Sequence, residues 1–222
     1  MTVFSAFFGS VILLFTFNRN IAIKISSFVW SHVVLAASGV RLRIHNRTLA
    51  NTQGAGIYIA NHASHLDIPA VFLASPVPLY FIAKKELAKI PIMGWYMHLT
   101  GMIFIDRGDR ERAYKSIHKA GELIKSGRNV ISFPEGTRSK SGKMANFKRG
   151  SFILAKDAKI PIYPLAIKGS YERLAPGKFK IYPGKIEVIF GEAILPETYQ
   201  NMSVEELALF CENKVKTLYS SN

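Results

Sequence analysis

The feature that most restricts the fold is a series of short apolar runs. Residues 57–60 (IYIA), 79–83 (LYFIA), 102–105 (MIFI), 130–133 (VISF) and 162–167 (IYPLAI) are each four to six residues long and rich in β-branched and aromatic side chains. Such runs, too short for a buried helix and without alternation, fit strands covered on both faces. Residues 40–46 alternate apolar and polar and add a strand, as do residues 185–190. Between these runs lie helical patterns. In 109–126, Ala113, Ile117, Ala120, Leu123 and Ile124 share one face, and Gly127 supplies a stop. Further helices are expected at 67–74, with Pro69 in the first turn, at 85–89 and 93–99 around Pro91, and at 150–158 and 204–219. Strands alternating with helices predict an α/β fold: one layered domain with a mixed, largely parallel sheet flanked by helices. We place this domain at 40–222, behind a separate segment at 1–39.

That first segment is unusual. Residues 1–17 carry no charged side chain, and residues 20–40 are apolar apart from interruptions such as Lys24 and His32. A spanning helix needs ~20 apolar residues, so the first run is short and the second is broken. There is no basic residue ahead of the apolar run and no small-x-small cleavage site, which argues against a removed signal peptide. Three arrangements remain: a marginal span, two helices embedded in one leaflet, or two helices packed on the domain. Ile21, Ile25, Phe28, Val29, His32, Leu35 and Ala36 recur at three-and-four spacing, with Lys24, Ser27, Ser31 and Ser38 elsewhere. This pattern favours a helix lying in the membrane interface, and 1–39 is expected to be a membrane attachment of two helices.

Charge points the same way. Lys plus Arg number 29 against 15 Asp plus Glu, a net of +14, which calls for an anionic partner. The charge is regional. Five basic residues (Arg19, Lys24, Arg41, Arg43, Arg47) precede the first acid, Asp67, and 138–185 holds 12 basic residues against Asp157 and Glu172. After Lys185 the sign reverses, with six Glu against Lys214 and Lys216. Nucleic acid would also suit the basic window, but no reader motif accompanies it and the apolar N-terminus argues against that role. The single cysteine, Cys211, excludes a disulfide framework and cysteine-rich metal sites, and is read as a core residue.

Polar clusters follow the apolar runs directly. Asn61-His62-Ala63-Ser64-His65-Leu66-Asp67 follows IYIA. Across a turn that opens a helix, Asp67 can orient the His62 ring, and a neutral imidazole so held takes a proton from a hydroxyl. The same residues also suit plain helix capping, or a metal site of His62, His65 and Asp67 that lacks a fourth ligand. Phe133-Pro134-Glu135-Gly136-Thr137-Arg138-Ser139 follows VISF. There Arg138 can grip a phosphate with Gly136 allowing close backbone approach, or Glu135 and Arg138 can form an ordinary surface pair. Asp106-Arg107 ends a third strand, and 160–167 is apolar with two prolines.

Taken in order, these segments resemble the glycerolipid acyltransferase family, most closely the 1-acyl-glycerol-3-phosphate (lysophosphatidate) acyltransferases. Asn61, His62 and Asp67 match its Asn-His-x4-Asp box, and Gly101 to Arg107 its Gly-x-Ile-Phe-Ile-Asp-Arg box. Residues 133–139 match its Phe-Pro-Glu-Gly-Thr-Arg-Ser box in full, and 160–167 its proline-containing box with Leu165 where Val is frequent. The resemblance runs from about 40 to 195.

It implies that His62 is the general base and that Asp67 holds its tautomer, with Asn61 as a supporting motif residue. It implies that Arg107, Glu135, Gly136, Thr137 and Arg138, with Lys84 as a further contact, bind the glycerol phosphate. The implied reaction moves a fatty acyl group from acyl-CoA or acyl-carrier protein to the free sn-2 hydroxyl of lysophosphatidate, giving phosphatidic acid without an acyl-enzyme. Another lysolipid, such as a lyso-ornithine lipid or a lysophospholipid, is the alternative acceptor. No metal or cofactor is implied. The expected partners are membrane lipid, the acyl donor and an anionic membrane surface, at the cytoplasmic face of the inner membrane. The oxyanion donor is expected among backbone N–H groups of the 61–67 turn.

Overall fold

A computed structural model describes residues 2–105 and 110–221, without the side chains of 2–7, 84, 105, 110–114 and 117. Two helices, α1 (Thr2–Thr16) and α2 (Arg19–Ala37), precede strand β1 (Val40–His45). There follow β2 (Ile57–Ala60), α3 (Asp67–Ala74), β3 (Leu79–Lys84), α4 (Met93–Thr100), β4 (Ile103–Ile105), α5 (Arg110–Lys125) and β5 (Asn129–Ser132). The chain continues with α6 (Gly150–Ala158), β6 (Ile162–Lys168), α7 (Ser170–Arg173), β7 (Gly184–Phe190), α8 (Pro196–Tyr199) and α9 (Val204–Ser220).

The seven strands form one sheet in the order β1-β7-β6-β2-β5-β3-β4. Only β6 and β7 pair antiparallel; the other neighbours are parallel. This is the mixed, largely parallel α/β sheet that the apolar runs demand. The central strands β2 and β6 are buried at every position but the last, Lys168, as a sheet covered on both faces requires. Each face carries its own core. On one, Phe152, Leu154, Ile162 and Val215 pack beneath α5, α6 and α9. On the other, Leu35, Val71, Leu79 and Val188 pack beneath α2 and α3. Tyr58 and Tyr163 stack at 4.8 Å across the β2–β6 pair.

Local signals set the element ends. Ser203 and Glu206 close a reciprocal capping box at the start of α9. Asn18 caps α2 through its side-chain oxygen. Pro91 separates α4 from a 3-10 turn at Lys85–Lys89, where the sequence predicts a helix; five residues with a proline beyond cannot extend an α-helix. Two one-turn helices, α7 and α8, carry too little periodicity to be seen in advance.

The N-terminal helices lie on the domain. α2 buries Ala22, Ile23, Ser26, Ser31 and Leu35. Ile21, Ile25, Phe28, Val29 and Val33 face outward, so of the stripe expected to meet lipid only Leu35 turns inward. α2 is the one helix among the described residues long and apolar enough, by length and composition, to cross a membrane. α1 adds the exposed Phe8, Leu14 and Phe15. Cys211 is fully buried, and burial pushes its thiol up to about 12.

The entries of β2, β5 and β6 are zipped together at Gly56. Its N–H donates to Asn129 Oδ1 at 3.2 Å, and its carbonyl accepts from Val130 N–H at 3.0 Å. A Cβ there would collide with the Pro161 carbonyl and stand 2.8 Å from the Tyr163 ring. Gly56→Ala is expected to cost about 1–3 kcal/mol, as overpacking does, and so to lower the melting midpoint by roughly 3–10 °C. An unchanged thermal midpoint would show that these strand entries shift freely.

Candidate active site

The site forms where parallel strands end. β2 lies between β5 and β6, so the turns that leave β2 and β5 emerge side by side at their carboxyl ends. Asn61, the first residue past β2, acts as an extra rung toward β6. Its Nδ2 donates to the Ile167 carbonyl at 2.9 Å, and its Oδ1 accepts from Ile167 N–H at 2.8 Å. Both groups are buried, which fixes the direction in which the chain leaves the strand.

His62 is then held on several sides. Its Nδ1 lies 2.8 Å from Asp67 Oδ2. Its ring stacks on Phe133 with centroids 4.2 Å apart. Its N–H donates to Glu135 Oε1 at 2.6 Å, and its carbonyl accepts from Ser139 N–H at 2.9 Å. Asp67 is 0% exposed and opens α3, where the helix dipole favours a negative charge. The same Oδ2 also accepts the N–H groups of Ala63 at 2.7 Å and Ser64 at 2.8 Å. Of the alternatives open in the sequence, the structure shows histidine orientation and not helix capping: α3 has no side-chain cap, and the Asp67 oxygen instead binds the turn that precedes the helix. With Asp67 bonded to Nδ1, the nitrogen left for a substrate is Nε2.

The expectation for an oxyanion donor narrows. The N–H groups of His62, Ala63 and Ser64 are committed to Glu135 and Asp67, and that of Leu66 to Ser64 Oγ. Among the described residues no cluster of three His, Cys, Asp or Glu side chains is arranged to hold a metal ion.

Glu135 ties this turn to a second one. Its Oε2 accepts from Ala145 N–H at 2.8 Å, so the buried carboxylate joins the end of β2 to the segment after residue 139. Burial pushes its carboxyl up, and the two backbone donors offset part of that. Gly136 is the left-handed point of the turn, with φ +75, and a Cβ there would press within 3.0 Å of Lys148 Nζ. Thr137 is exposed. Arg138 is half-buried, and its Nη1 is buried with no hydrogen-bond partner among the described residues. Burial and, next, the Arg138 charge hold the neighbouring His65 below its ordinary range.

Lys84 closes β3, with its backbone opposite Ile105 at the end of β4. Its side chain lies outside the described residues, as does all of Arg107, two positions beyond β4.

A cavity of about 360 Å³ opens here, lined by His62, Glu135, Ser139, Lys143, Lys216 and Tyr219 among others. Lys216 and Tyr219 come from α9, and nothing in the sequence marks them. Lys216 is held by Glu212, whose Oε1 accepts from Lys216 Nζ at 2.6 Å and whose Oε2 accepts from Phe147 N–H at 2.8 Å. Lys143 and Lys148 belong to the basic window but carry no motif of their own.

The fold and this site define a class. The model of the Acyltransferase family matches residues 41–168, and the chain belongs to that family. A 1-acyl-sn-glycerol-3-phosphate acyltransferase of Chlamydomonas reinhardtii is 38% identical over 141 residues, covering 63% of this chain and 42% of the relative. One from Saccharomyces cerevisiae is 33% identical over 159 residues, covering 70% and 52%. The chain thus spans about half the length of the curated relatives it matches. The crystal structure of the 1-acyl-sn-glycerophosphate (LPA) acyltransferase PlsC from Thermotoga maritima superposes with a TM-score of 0.83 at 29% identity. That match covers 97% of this chain and 88% of the other.

Glu135→Gln tests the clamp. An amide offers one acceptor, so its NH2 must face either the His62 or the Ala145 N–H. The expected result is a loss of about 1–3 kcal/mol, read by thermal unfolding as a midpoint lower by roughly 3–10 °C. A variant as stable as the parent would show that the clamp does not bind the two turns.

Proposed function

We propose that the chain transfers a fatty acyl group from an acyl thioester, acyl-CoA or acyl-carrier protein, to the free sn-2 hydroxyl of 1-acyl-glycerol-3-phosphate, giving phosphatidic acid. The observation that carries this reading is the 2.8 Å contact of His62 Nδ1 with a buried Asp67 carboxylate at the wall of a cavity. The names of the relatives supply the reaction class.

In this reading Nε2 of His62 takes the proton of the glycerol hydroxyl as its oxygen attacks the thioester carbonyl. The tetrahedral intermediate collapses, the C–S bond breaks, and the thiolate leaves with the proton returned by His62. Asp67 keeps the proton on Nδ1 and stabilises the imidazolium formed in passing. Neither a serine nor a cysteine nucleophile is called for, in keeping with the burial of Cys211. Arg138 receives the acceptor phosphate, since a buried guanidinium nitrogen without a protein partner suits a charge-assisted bond. Arg107 and Lys84 are assigned to the same phosphate. Glu135 acts chiefly as a clamp on His62, with the second lone pairs of its oxygens open to a glycerol hydroxyl. Gly136 and Thr137 shape the turn that presents Arg138.

The acceptor is a lipid, and α1 with α2 is proposed to hold the chain in one leaflet. Phe8, Leu14, Phe15, Phe28 and Val29 are exposed there, and Arg19 and Lys24 lie near for headgroup contact. An excess of basic residues beside the anchor favours the cytoplasmic face.

The test is acyl transfer to lysophosphatidate by the purified chain, with acyl-CoA and acyl-carrier protein supplied separately. His62→Ala is expected to lower kcat by about 10²–10⁴, and Asp67→Asn by a comparable factor. Arg138→Ala is expected to raise KM for lysophosphatidate about tenfold or more and to leave acceptors without a phosphate monoester little changed. Full activity in His62→Ala would end the dyad assignment. Preference for a lyso-ornithine lipid would replace the acceptor.

A further inference from the structure

The loop between α7 and β7 presents a feature that the site does not use. Residues 174–183 have no regular structure, yet both ends are fixed. At one end the Leu174 carbonyl accepts from Ser64 Oγ at 2.7 Å, inside the His62–Asp67 turn. At the other, Gly184 N–H donates to the Gly39 carbonyl at 3.1 Å, just past the C-terminal cap of α2. Arg173 closes the base, with Nη1 donating to the Pro183 carbonyl at 2.7 Å and its own carbonyl accepting from Tyr182 N–H at 2.8 Å.

The tip of this loop is Lys178-Phe179-Lys180-Ile181-Tyr182. Phe179 is 100% exposed, and Ile181 and Tyr182 are exposed beside it. A phenyl ring standing wholly in water between two lysines has no packing role. From Arg173 to Lys185 the chain has four basic residues and no acid. Lys180 Nζ lies 5.0 Å from the centre of the Tyr182 ring. Aromatic and aliphatic groups flanked by lysines match the layering of a membrane interface, apolar below and anionic headgroups above.

The surroundings favour the same occupant. The exposed apolar stripe of α2, Ile21, Ile25, Phe28, Val29 and Val33, runs along the helix toward its C-terminal end, where Gly39 adjoins Pro183 of the loop. We infer that the 178–182 tip is a second membrane contact, in which Phe179 enters the acyl boundary of an anionic bilayer while Lys178 and Lys180 bind its headgroups. This rests on the attachment of α1 and α2 to a membrane proposed above. The loop that carries the tip is fastened at one end to the His62–Asp67 turn and at the other to the residue that follows the cap of α2, so it joins both anchors to the site.

The experiment places one reporter on the tip. Phe179→Cys is labelled with an environment-sensitive fluorophore; the buried Cys211, its thiol pushed up to about 12, stays unlabelled in the folded chain. Vesicles of phosphatidylglycerol, or of phosphatidylcholine alone, are added, and sedimentation reads total binding in parallel. The expected result is a blue shift of the probe and quenching by spin-labelled acyl chains in the anionic vesicles. Phe179→Ala with Lys178→Glu and Lys180→Glu is expected to weaken binding to anionic vesicles by roughly tenfold. If the chain sediments with vesicles while the probe stays in water, the tip contact is overturned and the helix attachment stands. If nothing sediments, the attachment itself is overturned and the tip contact with it. A shift produced by an acidic acyl-carrier protein and not by lipid would give the tip to a protein partner and overturn the proposal.

Discussion

One carboxylate oxygen organises the turn that leaves β2. Asp67 Oδ2 accepts the N–H groups of Ala63 and Ser64 and faces His62 Nδ1. A fully buried carboxylate is costly unless hydrogen-bonded, and here the turn before α3 supplies the donors and the start of α3 a favourable dipole. The same bonds that make the charge tolerable also fix the backbone from which His62 projects. Orientation of the imidazole and stability of the turn therefore cannot be separated at this residue.

The rest of the site extends this arrangement outward through backbone donors. Glu135 couples His62 to Ala145, and Glu212 couples Phe147 to Lys216. Two buried carboxylates thus link the ends of β2 and β5 to α9, more than sixty positions later in the chain. Asn61 fastens the other side to β6. The cavity is walled by elements that meet only in the folded state, and its rigidity comes from side chains that accept backbone N–H groups. The network leaves Arg138 Nη1 buried and unpartnered among the described residues, where an anionic ligand can complete it.

Much of this was legible in advance, for local reasons. Each apolar run became a strand because the run is short, unalternating and bounded by turn residues or helix signals. His62 and Asp67 lie five positions apart in one turn, so their meeting needed no knowledge of the fold. Glu135 was harder. Its partners, His62 and Ala145, are set by strand adjacency, and a carboxylate next to an arginine reads as a ligand or a surface pair until that adjacency is known. Lys216 and Tyr219 were not legible at all, since an amphipathic helix shows which face is apolar but not what its polar end reaches. The exposure of Phe179 was hidden for the same reason: an aromatic residue in a loop is usually covered by something distant in sequence.

The proposed chemistry depends on the proton of one ring. If Asp67 holds the hydrogen on Nδ1, then Nε2 is the bare nitrogen, as the proposed general base requires. Nitrogen-15 NMR of histidine-labelled protein, at a pH where the ring is neutral, distinguishes the two tautomers directly. The expected result is His62 as the Nδ1–H form in the parent chain, with that preference weakened in Asp67→Asn. A parent chain carrying the proton on Nε2 would contradict it, because the proposed base would then have no free lone pair at that nitrogen.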